Sequence, residues 1–379
     1  MADAVQPAGT GFAVDASAGT GKAHGYRPTR AEINLAALSE NYRQFRKLLP
    51  PGVRVLVTVK ADAYGHGLIP VAQRLCACGV DFLGVASIDE GIRLRQAGID
   101  VPVLILGLIL KENVRPVIDY DLYATVCEDT LAAELDRQAH RAGKVAGVHV
   151  KVDTGMGRIG LMPQDARSFI RKVSRLSSLR LDGVFTHFPC ADSDDVFTRR
   201  QIASFNLLLE SLRAEGISVP LVHAANSCAA IDYASSRFTM VRPGLIIYGL
   251  SPRRDIGLRV RPVLSLKTRV IFSKRLPRGT GISYGHTYVT KKSSTVITLP
   301  IGYGDGYPRN LSNKAPVLLH GKRFRVSGRI CMDQMMVDVG DEPVAAGDEV
   351  VLIGTQLGER ITAGELAGLA DTISYEIVC

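Results

Sequence analysis

Lys60 closes an apolar, β-branched run inside the stretch Val-Lys-Ala-Asp-Ala-Tyr-Gly-His-Gly at residues 59–67. A strand end delivering a lysine amine into a loop, with Tyr64 four residues on and Gly65 and Gly67 behind it, suits covalent chemistry on a carbonyl cofactor. In water a lysine amine has a pKa of about 10.4 and is almost wholly protonated at neutral pH. Desolvation or a neighbouring cation lowers that value, and the free amine then forms a Schiff base with a carbonyl carbon. A lone strand-end lysine is more often a surface residue. The company Lys60 keeps separates it from that reading.

That company falls at the ends of further apolar runs. Lys151, Asp153 and Arg158 follow a fifth run, His187 a sixth, and Asn226 and Ser227 a seventh, while Arg242 and Gly244 lie on an eighth. Any one of them is explained as a loop residue satisfying a cap or a turn, but a shared address at one rim is hard to obtain by accident.

The elements that must position them are legible as hydrophobic patterning. Leu35, Leu38, Tyr42, Phe45 and Leu49 recur at helical spacing. Short apolar runs follow at 53–59, 82–86, 103–106, 122–126, 147–152, 181–187, 220–224 and 240–248, with amphipathic stretches such as 128–142, 163–177 and 195–215 between them. Eight βα units predict an α/β fold, a (β/α)8 TIM-type barrel whose chemistry gathers at the C-terminal strand ends. An open doubly wound sheet is the competitor, but no Gly-x-Gly-x-x-Gly turn follows an early strand. After about residue 260 the texture changes to short strand patterns at Val263–Phe272, Thr295–Pro300, Pro316–Leu319, Arg323–Val326, Met335–Val339 and Glu349–Ile353, broken by Gly, Pro, Asn and Asp. The expected organisation is a flexible tail at 1–27, a barrel at 28–260 and a β-rich domain at 261–379, with residues 28–35 as candidates to pair with the latter.

Composition narrows the function classes. Of 379 residues, 46% are apolar and 22% charged, as in a folded globular chain rather than a disordered one. The net charge of +9 comes from bases dispersed along the chain, not gathered into runs with aromatics, which argues against nucleic acid and for anionic small molecules. Seven cysteines are thinly spread, without zinc spacing, so neither a metal site nor a disulfide framework is expected. The start lacks a basic-then-apolar leader, and no apolar run is long enough to span a bilayer, so a cytoplasmic protein without membrane contact is expected. Residues 18–23 superficially resemble a phosphate loop, but Ala16 replaces its first glycine, Ala23 its hydroxyl residue, and no strand precedes it.

Taken together the segments resemble the fold-type III, pyridoxal-phosphate-dependent alanine racemases, which are isomerases acting on amino acids. The resemblance runs from Tyr-Arg-Pro-Thr at 26–29 to Ser-Tyr-Glu-Ile-Val-Cys at 374–379. Within it, the Lys60 stretch, Lys-Val-Asp-Thr-Gly-Met-Gly-Arg (151–158), Thr-His-Phe (186–188), His-Ala-Ala-Asn-Ser (223–227), Val-Arg-Pro-Gly (241–244), Ser-Tyr-Gly (283–285) and Ile-Cys-Met-Asp-Gln (330–334) occur in the family's order.

The resemblance implies roles residue by residue. Lys60 matches the Schiff-base lysine and one acid/base; Tyr284 matches the opposing base, supplied by the partner subunit of a homodimer with shared active sites. In the family the tyrosine takes the α-proton from L-alanine and the lysine takes it from D-alanine. A phenol near pKa 10 is a poor base at neutral pH unless its anion is stabilised, and His187 and Arg242 match the network that does this. Arg242 would face the pyridine nitrogen, where an always-charged donor keeps that nitrogen unprotonated and the carbanion short-lived.

Phosphate binding falls to Tyr64, Ser227, the main chain at Gly244 and Leu245, and Tyr375, with Asn226 also at the cofactor. Arg158 and the main-chain N–H of Met332 match the substrate carboxylate site; Tyr303 and Tyr375 match the entrance; Cys331 and Asp333 are supporting residues beside Met332. Lys151, seven residues before Arg158, has the family spacing of a lysine open to carbamylation.

Family members continue beyond the final Tyr-Glu-Ile-Val-Cys with an Arg-rich segment, whereas this sequence stops at Cys379, which bears on the placement of Tyr375. The implied function is interconversion of L- and D-alanine, supplying D-alanine for peptidoglycan. Two alternatives stand beside it: a broad-specificity or serine racemase of the same fold, and a non-catalytic pyridoxal-phosphate-homeostasis barrel, which would lack the second domain.

Overall fold

The computed structural model describes residues 26–251 and 256–379, together with the backbone of a short strand at Val14–Asp15 that pairs with Ala31 and Glu32. The remainder of the expected tail, including the phosphate-loop-like segment, lies outside the described residues. The chain divides into two compact units, Leu35–Arg261 and Met1–Asn34 with Pro262–Cys379.

The first unit is the eight-stranded parallel barrel that the sequence predicts. Its strands are β1 (Arg54–Thr58), β2 (Phe82–Val85), β3 (Val103–Ile105), β4 (Ala124–Val126), β5 (Ala146–Lys151), β6 (Leu179–Phe185), β7 (Leu221–His223) and β8 (Met240–Val241). They run β3-β2-β1-β8-β7-β6-β5-β4. The remaining seam closes at the Leu104–Tyr123 bridge, where the Ile105 N–H donates to the Tyr123 carbonyl at 2.9 Å. Helices such as Asp129–Arg141, Pro163–Val173 and Asp195–Ala214 turn apolar faces inward, Leu131, Ala132, Leu135 and Ala139 in the first of them.

One strand is shorter than its apolar run. Residues 240–248 read as continuous strand, yet only Met240–Val241 pairs, and Leu245–Tyr248 coils into a 3-10 turn. Pro243 has no N–H to continue a ladder, although its carbonyl still accepts from the Thr58 N–H at 3.1 Å. Arg242 and Gly244 therefore follow the strand instead of lying on it.

The second unit is mostly antiparallel β. Arg30–Ile33 pairs with Leu264–Arg269, so residues 28–34 belong to this unit and not to the barrel. The run Val263–Phe272 is broken in two: Leu264–Arg269 also pairs with Glu349–Gln356, whereas Phe272–Leu276 pairs with Ser294–Leu299 in a different sheet. The chain changes sheets at Val270 and Ile271, whose N–H groups donate to Asp348 and Thr298. Two helices, Ala363–Ala370 and Ser374–Val378, close the unit. Among the described residues no helix is long and apolar enough to cross a membrane.

Leu56, Phe82, Leu104, Leu221 and Met240 form one buried cluster inside the barrel. Truncating Leu56→Ala there removes dispersion contacts on all sides. It should destabilise the chain by about 2–5 kcal/mol, read as a lower denaturant midpoint with an unchanged slope.

Candidate functional site

Val59, fully buried, ends the β1 run, and the backbone then does something the sequence does not announce. Ala61, Asp62, Ala63 and Tyr64 have φ between 51° and 56°, so the segment after Lys60 is a turn of left-handed helix. Each such residue costs roughly 1–2 kcal/mol when it is not glycine, so the surroundings must impose the conformation. The Glu90 carboxylate does so from the helix Ile88–Gln96 that follows β2, accepting from the Ala61 N–H at 2.6 Å and from the Ala86 N–H at 2.7 Å. His66 donates Nδ1–H to the Tyr64 carbonyl at 2.7 Å, and the Asp62 carboxylate accepts from the Leu68 N–H at 3.0 Å. Lys60 thereby leaves the barrel rim on a rigid mount.

Beside it lies a set of neutral donors. An added Cβ on Gly244 would come within 2.9 Å of the Tyr64 hydroxyl, and the Gly244 N–H donates to the Ser227 hydroxyl at 3.1 Å. Glycine is needed for that approach, and a phenol, a hydroxyl and a main-chain N–H converge as they do around an oxyanion. These residues fit a phosphate-bearing group. Leu245 is buried in the 3-10 turn that follows. Asn226 caps the helix Ser227–Asp232, its Oδ1 accepting from the Ala229 N–H at 3.0 Å.

Arg242 is buried in the barrel mouth. It donates to the Thr186 carbonyl at 2.6 Å, the Ala224 carbonyl at 3.0 Å, His223 Nδ1 at 2.7 Å and His187 Nδ1 at 3.3 Å. Burial draws its pKa down to about 9, which leaves the guanidinium charged at neutral pH. Burial, and after it the Arg242 charge, hold His187 and His223 well below the usual imidazole value, so both are neutral acceptors.

Lys151, 3% exposed, packs its Nζ 4.3 Å from the centre of the Phe185 ring. Burial, then Arg242 and Arg158, push its amine far below the ordinary lysine range. Burial raises the Asp153 carboxyl, but main-chain N–H donors at Gly155, Gly157, Met156 and Arg158 outweigh it and keep it below the usual carboxylate value. Arg158 itself is exposed in the loop after β5.

The second unit carries the other expected residues, and contacts tie the segments of Tyr284, Tyr303 and Met332 together. Tyr284, 69% exposed, sits in a 3-10 turn held where the Ser283 hydroxyl donates to the Arg329 carbonyl at 2.5 Å and lies 3.5 Å from the Cys331 sulfur. The Tyr303 N–H donates to the Cys331 carbonyl at 3.0 Å and the Gly304 N–H to the Met332 carbonyl at 2.7 Å. Arg27 grips Asp305 at 2.8 Å and the Pro300 carbonyl at 3.1 Å, fixing the Tyr303 turn from its far side. Met332 and Asp333 are exposed; Tyr375 is partly buried in the last helix.

Glu90, His223, His149 and Arg27 were not singled out by sequence reasoning. Ser87-x-x-Glu90 is a capping-box spacing, and Ser87 does accept from the Glu90 N–H at 3.3 Å. That signal marks Glu90, but not its reach to Ala61.

Burial draws the His66 pKa to about 4 and that of His149 to about 3, against about 6.5 in an unfolded chain. Between those values and 6.5 the unfolded state binds more protons, so stability is fully present above 6.5 and lost as pH falls. His66 alone should contribute a loss of about 3 kcal/mol on acidification to its folded pKa. Urea denaturation at several pH values should show a shallower acid loss for His66→Gln than for the wild type.

Comparison with known proteins agrees with the barrel and the mostly antiparallel second unit. A profile of the alanine racemase N-terminal domain matches residues 33–252, and one of the alanine racemase C-terminal domain matches residues 263–379. The alanine racemase of Halothermothrix orenii is 47% identical over 357 residues, covering 93% of this chain and 94% of that protein. That of Symbiobacterium thermophilum is 46% identical over 359 residues, covering 94% and 95%. Among solved structures, the alanine racemase of Clostridium difficile superposes with a TM-score of 0.90 at 39% identity over 93% of each chain. The Bacillus anthracis alanine racemase with bound L-Ala-P gives 0.88 at 36% identity, covering 93% of this chain and 92% of that one. Matched along both units, the chain belongs to the alanine racemase family.

Proposed function

We propose that the chain interconverts L-alanine and D-alanine by a two-base mechanism with pyridoxal phosphate as cofactor, in a homodimer whose active sites are shared. The observation that carries the reading is the arrangement at the barrel rim, where the Lys60 mount, the Tyr64–Ser227–Gly244 donor set and a cationic Arg242 held by neutral acceptors belong to adjacent strand ends. Curated relatives of 47% and 46% identity named alanine racemase support the activity, and the L-Ala-P bound by the Bacillus anthracis protein supports the substrate class. The match to the second domain speaks against a barrel-only homeostasis protein, and no relative reported above favours a serine racemase.

When bound, the cofactor supplies a carbonyl for the Lys60 amine and a conjugated ring that takes up charge from the amino acid's α-carbon. Tyr64, Ser227, the main chain at Gly244 and Leu245, and Tyr375 would hold its phosphate, with Asn226 alongside. Arg242 would donate to the ring nitrogen without surrendering a proton, limiting side reactions. Arg158 and the Met332 N–H would hold the substrate carboxylate, with Cys331 and Asp333 supporting that segment, and Tyr303 and Tyr375 would narrow the entrance in favour of a methyl side chain.

In the L-to-D direction the Tyr284 phenolate accepts the α-proton from one face, and the Lys60 ammonium returns a proton to the other. The reverse direction exchanges the two roles. Tyr284, exposed on its own unit, would reach the site of a second copy, as Met332 would. The same proposal assigns the product to peptidoglycan synthesis and the reaction to the cytoplasm.

Lys151 enters this reading as a modified residue. A buried amine held neutral can bond CO2 at Nζ and release one proton, giving a carbamate that pairs with Arg158. Native mass spectrometry with and without labelled CO2 should show one added CO2 per chain, abolished in Lys151→Ala; an unmodified amine throughout would defeat it.

Lys60→Ala should lose the near-visible absorbance of the bound cofactor. Tyr284→Phe should keep it while slowing solvent-deuterium exchange from L-alanine more than from D-alanine, by roughly 100-fold or more. Equal, negligible losses would remove Tyr284 from the chemistry. Mixing the two inactive variants should restore part of the activity through hybrid dimers, and no recovery in a demonstrated hybrid would argue against shared sites.

A further inference from the structure

Behind Arg242 the barrel interior holds a line of side chains that the proposed mechanism does not use. Arg242 donates to His223 Nδ1 at 2.7 Å, and His223 Nε2 lies 2.8 Å from His149 Nδ1. Both histidines are fully buried, and both pack on Phe185: the His223 ring stacks on it at 4.6 Å and 5°, and His149 meets its edge at 6.4 Å. Room for the His149 ring comes from Gly183 on β6, where an added Cβ would stand 2.3 Å from His149 Nδ1.

The hydrogen-bond roles along this line are determined. A guanidinium has donors only, so His223 Nδ1 must accept and its proton sits on Nε2. That proton is donated to His149 Nδ1, which places the His149 proton on its own Nε2. There the line stops, because His149 Nε2 meets no hydrogen-bond partner among the described residues. Leaving a buried N–H unpaired is costly, and an apolar residue would avoid that cost. The ring also lies against Phe82 and Tyr123, a setting any aromatic side chain would satisfy. Packing therefore does not account for a histidine at 149, whereas its acceptor at Nδ1 does.

We propose that His149 is a positioning residue that locks His223 in its Nε2–H tautomer and through it fixes the direction in which Arg242 presents its guanidinium. Without an acceptor at 149 the His223 Nε2–H is left buried and unpaired, which offsets the hold of the Arg242 donor on the tautomer; moving that proton to Nδ1 would face the Arg242 N–H donor-to-donor and turn the guanidinium away. The inference deepens the proposed role of Arg242 at the ring nitrogen and rests on it.

The test compares His149→Phe, which keeps an aromatic ring and removes the acceptor, with His149→Asn, whose Oδ1 stands where Nδ1 stood. In the full-length wild type, 15N NMR of the histidines should show residues 149 and 223 as neutral Nε2–H tautomers, cofactor bound or removed. In His149→Phe the His223 signals should shift toward a tautomer mixture, and kcat should fall by roughly ten-fold or more with KM changed far less. His149→Asn should restore the His223 tautomer and most of kcat.

An Nδ1–H tautomer at His223 in the wild type would overturn the proposal whether or not the variants fold. So would full activity in His149→Phe, or equal losses in the two variants. Arg242→Leu separates this from failure of the underlying reading, because unchanged turnover there would remove Arg242 itself from the site.

Discussion

A guanidinium buried in a barrel with no carboxylate beside it sets the terms for everything around it. Arg242 forms no ion pair among the described residues; it is held by two main-chain carbonyls and two imidazoles. A carboxylate would have neutralised it. Neutral acceptors satisfy its donors and leave its field intact, and that field reaches Lys151, His187 and His223, each of which it helps to keep deprotonated. Burial and, after it, this one unpaired cation keep three neighbouring bases neutral and leave the rim attractive to anions. The dispersed +9 of the whole chain has the same sign but not this focus.

The lysine mount obeys a different constraint. A left-handed turn of four non-glycine residues persists only where its freed main-chain groups are taken up. Glu90, Asp62 and His66 do that from three directions, and each is committed elsewhere too: Glu90 also bonds Ala86, Asp62 starts the next helix, and His66 packs on Tyr248 at 4.7 Å. The strain at residues 61–64 is therefore carried by the barrel's ordinary packing. Removing any one support loosens the amine's placement without touching the amine.

On the second unit, Tyr284, Tyr303 and Met332 share no strand and no helix, yet their backbones are tied to one another through the Ser283, Cys331 and Gly304 contacts. Those contacts tie together the residues proposed as proton-handling phenol, entrance ring and carboxylate donor. Arg27, far off in sequence, joins them through Asp305.

Alternating apolar runs and helical periods were enough to read eight strands, because burial on both sides of a parallel strand leaves an unbroken hydrophobic signature. The same signal misread 240–248 and 263–272, where Pro243 and a change of sheet interrupt hydrogen bonding without interrupting hydrophobicity. Motif spelling likewise fixed which residue types gather at the rim: Lys60, Tyr64, Ser227, Arg242, Gly244. Only the tertiary structure decided how they work there. The reach of Glu90 to Ala61, which helps to hold the left-handed turn, and the line from Arg242 to His149 join residues tens of positions apart in the chain. Local propensity carries no record of a partner brought in by folding.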